Sequence, residues 1–251
     1  MLSRSKQRKP TIASAFVLGS TSTVAQAICH ELARCGCRRF HLVARNDTAN
    51  AQLAHDLRNR FGAVVSEQRT DLVADSSLSA QKPQIAETFD LYLITAGSLG
   101  DPELARIDAS EALAITAANY SGLLPWLTTI ATPERLSRPG RLWVFSSVAA
   151  DRGRPSNYIY GAAKAALTVF CEGLLLRCHG GPFAVRVIKA GFMATPMTEG
   201  KAPAALCASP ESIARALLKT PNQRGIVYLP GWWRALMAVI RSLPPAVASK
   251  T

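Results

Sequence analysis

Tyr160 and Lys164 stand four residues apart in the run Tyr160-Gly161-Ala162-Ala163-Lys164. On a helix that spacing puts both side chains on one face. An ammonium beside a phenol favours the phenolate and lowers the tyrosine pKa from its reference of about 10. Such a tyrosine exchanges a proton with a carbonyl or alcohol oxygen near neutral pH. Ser147, thirteen residues earlier in the pair Ser146-Ser147, offers a hydroxyl for the same oxygen. Tyr-x-x-x-Lys alone also describes a solvated pair on a helix. Specificity comes from the whole order: strand, Ser-Ser, loop, Tyr-x-x-x-Lys, helix.

A second group of residues suits a dinucleotide. The segment Gly19-Ser20-Thr21-Ser22-Thr23-Val24-Ala25 follows an apolar run and precedes a helical pattern. A turn at such a place brings backbone N–H groups and a helix N-terminus to a pyrophosphate. Its first glycine is present, and Thr23 and Ala25 stand where the later two are usual. The hydroxyls of Ser20, Thr21, Ser22 and Thr23 add donors, and a Ser/Thr turn that only caps a helix fits the same residues. Leu42-Val43-Ala44-Arg45 ends the next apolar run. An acid there would bind a ribose 2′-hydroxyl, whereas Arg45 beside Ala44 accommodates a 2′-phosphate, which points to NADP(H). A solvated surface arginine is the competing reading. Asp71-Leu72 is placed to border the adenine.

These residues need a scaffold that gathers them at one edge. Short apolar runs alternate with longer helical patterns, as in a parallel sheet with crossover helices. Strands are expected at 13–18, 40–44, 63–67, 89–95, 141–145, 184–188 and 225–229. Helices are expected at 24–35, 48–61, 110–130, 156–178 and 210–218, the last with Ser209 as N-cap before Pro210. The fold class is α/β: a Rossmann-type doubly wound parallel sheet, a single domain (1–230) with a C-terminal amphipathic helix in a basic tail (231–251).

Composition agrees with an ordinary folded chain of 251 residues, 48% hydrophobic and 18% charged. The net charge of +12 calls for an anionic partner. No nucleic-acid module or aromatic-interleaved basic patch is present, so nucleic acid ranks last. The six cysteines show no CxxC and no Cys/His ligand spacing; they read as reduced thiols, and no metal site is expected. The start of the chain imitates a signal peptide, with Arg4, Lys6, Arg8 and Lys9 before the apolar run Ile12 to Leu18. A strand, turn and helix account for the same residues and keep the first strand in the fold. Residues 112–133 lack charge for 22 positions but hold Asn119, Pro125 and several Thr, which suits a buried helix better than a membrane span.

Taken together, the motifs resemble the short-chain dehydrogenase/reductase family from about Thr11 to Leu229. Gly19 matches the first glycine of the family's cofactor turn. Thr95-Ala96-Gly97 is similar to its Asn-Ala-Gly motif, with Thr replacing Asn and so removing an amide that ordinarily stabilises the central sheet. Lys189-Ala190-Gly191-Phe192-Met193-Ala194-Thr195 is similar to its Pro-Gly motif, with Ala190 for Pro. The resemblance implies that Tyr160 is the acid in reduction and the base in oxidation. By the same resemblance Lys164 holds the nicotinamide ribose and tunes Tyr160, Ser147 positions the substrate oxygen, and Asn119 supports a proton relay through water. Val24, Ala96, Gly97, Gly191, Met193 and Thr195 are implied as further cofactor contacts.

Substrate choice in this family lies largely after Thr195 and in the C-terminus. The segment Pro196 to Leu206 is small and apolar, consistent with a lid over a lipidic or bulky ligand. From Lys201 onward there are seven Lys or Arg and one acid, Glu211. In Gly231 to Pro245, Arg234 and Arg241 share one helical face and Trp233, Leu236, Met237 and Ile240 another. Such a helix either lies on anionic lipid or packs on the domain or a subunit contact. The tail and Gly97-Ser98-Leu99-Gly100-Asp101 resemble one branch of the family, the reductase component of a decaprenylphosphoryl-ribose 2′-epimerase system. That implies an NADPH-dependent reduction of a keto sugar on a polyprenyl phosphate, a flavin oxidase partner, and a cytoplasmic enzyme peripheral on the inner face of the membrane. A soluble carbonyl or 3-ketoacyl reductase and an NADP-binding scaffold without turnover are the alternatives. The two long charge-poor helices lie where the family usually builds homo-oligomer contacts, and domain core accounts for them equally.

Overall fold

The computed structural model describes residues 12–74, 83, 85–198, 200 and 203–248. The basic start with Arg4, Lys6, Arg8 and Lys9, and also Glu199, Lys201, Ala202 and Lys250, lie outside the described residues.

Among the described residues seven strands form one parallel sheet: β1 (Ser14–Leu18), β2 (Arg39–Ala44), β3 (Val64–Arg69), β4 (Leu91–Ile94), β5 (Gly140–Ser147), β6 (Phe183–Ala190) and β7 (Gly225–Leu229). Their order is β3-β2-β1-β4-β5-β6-β7, so the winding direction reverses between β1 and β4. Helices α1 (Thr23–Arg34), α2 (Asp47–Phe61), α3 (Ala109–Asn119), α4 (Leu124–Ile130), α5 (Pro133–Leu136), α6 (Tyr158–Arg177), α7 (Pro210–Lys219), α8 (Trp233–Ser242) and α9 (Pro245–Ala248) follow in chain order. Ser22, Asn46 and Ser209 cap α1, α2 and α7 by accepting from the backbone N–H three residues on, as their residue types favour.

The near-continuous apolar strands are explained by burial on both faces. In β1, Ala15 and Val17 pack into the core beneath α1, α2 and α7, while Phe16 and Leu18 enter the core beneath α4 and α6. Each fully buried large side chain of this kind is worth about 1.5–3 kcal/mol. Helix α6 is long and apolar enough to cross a membrane by length and composition. Here Ala163, Leu167, Cys171 and Leu174 are buried in the domain.

One expected element is different. The helix anticipated over 110–130 is two helices, α3 and α4, joined by a 3₁₀ turn at Ser121–Leu123. Pro125 has no N–H to give to the preceding turn and sits in the first turn of α4, where that loss is harmless. Tyr120 carries the break, with φ −147° and ψ −71°. The interruption leaves Asn119 as the last residue of α3.

Thr95 also corrects an expectation. Its hydroxyl donates to the carbonyls of Leu18 (3.2 Å) and Gly19 (2.9 Å), so it ties β4 to β1 in place of an amide.

Gly19 closes β1 at φ +88°, and a Cβ there would lie 2.4 Å from the Ala96 nitrogen. Gly19→Ala therefore meets both backbone strain and a clash with backbone. It is expected to cost about 2–4 kcal/mol in urea unfolding; a loss under 1 kcal/mol would contradict the fit.

Candidate active site

The reversal between β1 and β4 opens a crevice at the carboxyl edge of the sheet, where such folds hold ligands. A cavity of about 420 Å³ lies there. Gly19, Thr21, Ser22, Thr23 and Val24 form its floor at the start of α1. Ser20 does not take part through its side chain, contrary to expectation. It is fully buried, and its hydroxyl donates to Asn50 Oδ1 (2.6 Å) and the Val43 carbonyl (3.3 Å). Asn50 in turn donates to the Leu42 carbonyl (3.1 Å), so this pair fastens the turn to β2. Ala25, at the last of the usual glycine positions, is buried in the core. Its methyl group faces protein and leaves the floor open.

At one end of the cavity stand Ala44, Arg45, Asp71 and Leu72. Arg45 is exposed and has no ion-pair partner among the described residues. Ala96, Gly97, Met193 and Thr195 line the other end with Asn119, Tyr160 and Lys164. Asn46, Thr70, Val73, Ser98, Phe145, Pro196 and Met197 line it as well. Sequence reasoning stopped one residue short of several of these, because loop boundaries carry no periodicity. The turn, the unpaired Arg45 and the elongated crevice together fit a phosphorylated dinucleotide.

Gly191 is the other implied contact placed elsewhere. A Cβ on it would lie 1.8 Å from Trp233 Nε1. The glycine makes room for the Trp233 indole and does not line the cavity.

The polar groups of the reacting end converge closely. A Cβ at Gly97 would lie 2.6 Å from Asn119 Oδ1 and 3.0 Å from Lys164 Nζ. Asn119 is fully buried; its Nδ2 donates to the carbonyls of Ser98 (2.6 Å) and Ile115 (2.8 Å). Its Oδ1 is buried without a partner among the described residues, an acceptor waiting for a donor. Lys164 is 4% exposed and donates to the Phe145 carbonyl (3.1 Å). Its Nζ stands 5.9 Å from the centre of the Tyr160 ring. Ser147 ends β5, outside the cavity wall but beside Tyr160. Its hydroxyl accepts from Ala149 N (3.1 Å).

The electrostatics differ from the simple expectation of a lowered tyrosine. Burial raises the Tyr160 phenol above its ordinary value, and the hydrogen bond with Ser147 pulls the other way. Burial also pushes Lys164 down to about 8, opposed by the nearby Cys171 sulfur. The ammonium is bonded to the Phe145 carbonyl and stands 5.9 Å from the centre of the phenol ring, and for the phenol itself burial is the larger effect. The arrangement holds a proton on Tyr160 at neutral pH beside a cation of reduced basicity.

Behind Ser147 lies a brace that the sequence reading missed. The 3₁₀ turn Val148–Asp151 continues from β5, and the Asp151 carboxylate pairs with Lys189 of β6. Tyr228 of β7 donates to the same carboxylate (2.8 Å). Arg152 donates to the carbonyls of Ile240 (2.5 Å) and Arg241 (3.0 Å) near the end of α8. Trp233 and Met237 of α8 are buried against Val148. A signal existed: Lys189 is a charge in an otherwise apolar strand end, and such a charge needs a partner. Of the expected apolar face of α8, Trp233 and Met237 face the domain, whereas Leu236 is exposed.

Lys164 binds fewer protons when folded than unfolded between pH 8 and its ordinary 10.5. Its contribution to stability is complete above 10.5 and is lost as the pH falls to about 8. Comparison with Lys164→Met by urea unfolding should show the wild type gaining roughly 2–4 kcal/mol relative to the variant across that window. A constant difference would contradict the buried cation.

The sequence pattern of the short chain dehydrogenase family matches residues 13–205. An uncharacterized oxidoreductase of Mycobacterium tuberculosis (strain H37Rv) is 36% identical over 208 residues, covering 81% of this chain and 83% of its own. An uncharacterized oxidoreductase of Streptomyces coelicolor is 31% identical over 235 residues, covering 92% of each. The structure of a short-chain dehydrogenase from Sphingobium yanoikuyae in complex with NADPH superposes with a TM-score of 0.76 at 20% identity, over 94% of this chain and 98% of that one. The chain belongs to the short-chain dehydrogenase family of oxidoreductases.

Proposed function

We propose that the chain is an NADPH-dependent ketone reductase whose substrate is a keto sugar carried on a polyprenyl phosphate. The observation that carries the reductase reading is the single crevice joining the unpaired Arg45 to Tyr160 and Lys164. The turn from Gly19 to Val24 would hold the pyrophosphate, Arg45 the 2′-phosphate, Asp71 and Leu72 the adenine end. Ala96, Gly97, Met193 and Thr195 would flank the nicotinamide side. NADPH in the Sphingobium relative supports this choice. When bound, the dinucleotide supplies a hydride.

The chain's own residues manage the proton. Ser147 holds the ketone oxygen, and Tyr160, protonated at neutral pH, delivers its proton to that oxygen as it gains charge. The Lys164 ammonium steadies the phenolate left behind. The unpartnered Asn119 Oδ1 accepts from a water that returns a proton through Lys164. Hydride and proton together turn the carbonyl into an alcohol, of the 2-keto-ribose to arabinose type, on a ketone made by a flavin oxidase partner.

The lipid part of the reading rests on the outer side of α8. Trp232, Leu236 and Val239 are exposed there, and Arg234 and Arg241 belong to the same helix. Apolar groups flanked by arginines suit an anionic leaflet, which supports the reading of a cytoplasmic enzyme peripheral on the inner face of the membrane. Exposed Leu113 on α3 with Val169 and Leu176 on α6 suits a homo-oligomer contact.

Two measurements test the reading. Tyr160→Phe should lower ketone reduction by about 10²–10⁴-fold while leaving NADPH binding, followed by nicotinamide fluorescence, within twofold and tighter than NADH binding. Retained turnover would refute the role of Tyr160. Co-sedimentation with vesicles containing anionic lipid should succeed, weaken with salt, and fail for Arg234→Glu/Arg241→Glu. Absence of vesicle binding by the wild type would favour a soluble carbonyl reductase.

A further inference from the structure

The loop 152–157 runs from the Ser147 turn to the start of α6, which carries Tyr160. Two of its polar side chains have no explained partner. Arg154 Nε is buried without an acceptor, and no hydrogen bond or ion pair engages its guanidinium among the described residues. Asn157 Oδ1 is likewise buried and unpartnered, and its side chain does not cap α6. A desolvated cation with no counter-charge is costly, so a chain that keeps one needs a reason for it. Burial alone depresses Arg154 below the ordinary arginine value, with no acid to offset it.

The positions on either side of Arg154 are fixed. Arg152 is bonded to the carbonyls of Ile240 and Arg241, and the Pro155 carbonyl accepts from Arg106 Nη2 (2.7 Å). Arg106 belongs to the segment that leaves the cavity at Ser98. The loop is therefore clamped between that segment and α8, and it links the turn after Ser147 to the helix that carries Tyr160. The acids of the neighbourhood are engaged elsewhere: Asp151 with Lys189 and Tyr228, Glu103 with Arg106. Arg154 is partly exposed, and of its three guanidinium nitrogens only Nε is among the buried, unpartnered atoms.

We propose that the Arg154 guanidinium binds the anionic phosphate ester of the ketone substrate and so selects phosphorylated over neutral ketones. The inference rests on the reductase reading above and names the group that orients its substrate. A planar guanidinium presents paired donors to phosphate oxygens, and its fixed loop lowers the ordering cost of that contact.

The test uses two probes that differ only in the phosphate, dihydroxyacetone phosphate and dihydroxyacetone. Each is titrated calorimetrically into the full chain saturated with NADP⁺, and each is offered as substrate with NADPH. The wild type should bind the phosphorylated probe about tenfold to a hundredfold more tightly. Arg154→Gln should erase that preference, Arg154→Lys should keep part of it, and neither should change NADPH affinity or the melting temperature. A wild type without preference, or an Arg154→Gln variant that retains it, overturns the proposal. Should Arg154→Gln fail to fold, Arg154→Lys decides: a preference equal to that of the wild type, with no greater sensitivity to salt, also overturns it. Phosphate-selective binding without NADPH oxidation would leave the anion site standing and sink the reductase reading instead.

Discussion

A buried cation organises this molecule. Lys164 sits almost fully enclosed, bonded to the Phe145 carbonyl, within reach of Gly97, Asn119 and the Tyr160 ring. Keeping an ammonium there requires a compensating dipole, and the Phe145 carbonyl of β5 supplies one at the carboxyl edge of the sheet. The break between α3 and α4 serves the same end, because it stops α3 where Asn119 can turn its amide to Ser98 and Ile115 and leave Oδ1 facing the site. Ser146 holds the opposite side by bonding Thr168 (2.7 Å) and the Lys164 carbonyl (3.2 Å).

Much of this could be read from residue order. The alternation of apolar strands and helices predicted all seven strands, because parallel strands buried on both faces leave continuous apolar runs. Tyr160 and Lys164 were legible because helical spacing alone fixes their shared face. Ser20 and Gly191 were misread for one reason: position in a motif says nothing about which way a side chain turns. Ser20 faces Asn50, thirty residues away, and Gly191 faces Trp233, forty-two residues away. Such long-range partners leave no periodic trace. The Thr95 replacement was legible as a difference but not as a compensation, since its two carbonyl acceptors come from another strand.

Two arginines, one buried and one half-buried, show how this basic chain satisfies cations without acids. Arg186 of β6, 1% exposed, donates to carbonyls at the end of α7 and beyond, those of Leu217, Thr220 and Gln223, and lies over the Trp143 ring. Arg152 does the same for α8. Helix C-termini carry partial negative charge and free carbonyls, so they serve as counter-ions that never titrate. The high net charge is thus partly internal architecture, and not all of it is surface available to partners.

The seating of Trp233 against Gly191 divides the labour of the chain. All seven described strands precede α8 in the sequence, and the sheet's two main cores contain no residue of it. The packing of the sheet is therefore complete without α8. The turn after Ser147, by contrast, draws its indole support and its Arg152 anchor from that helix. Local opening of α8 would loosen the reacting end and leave the scaffold closed.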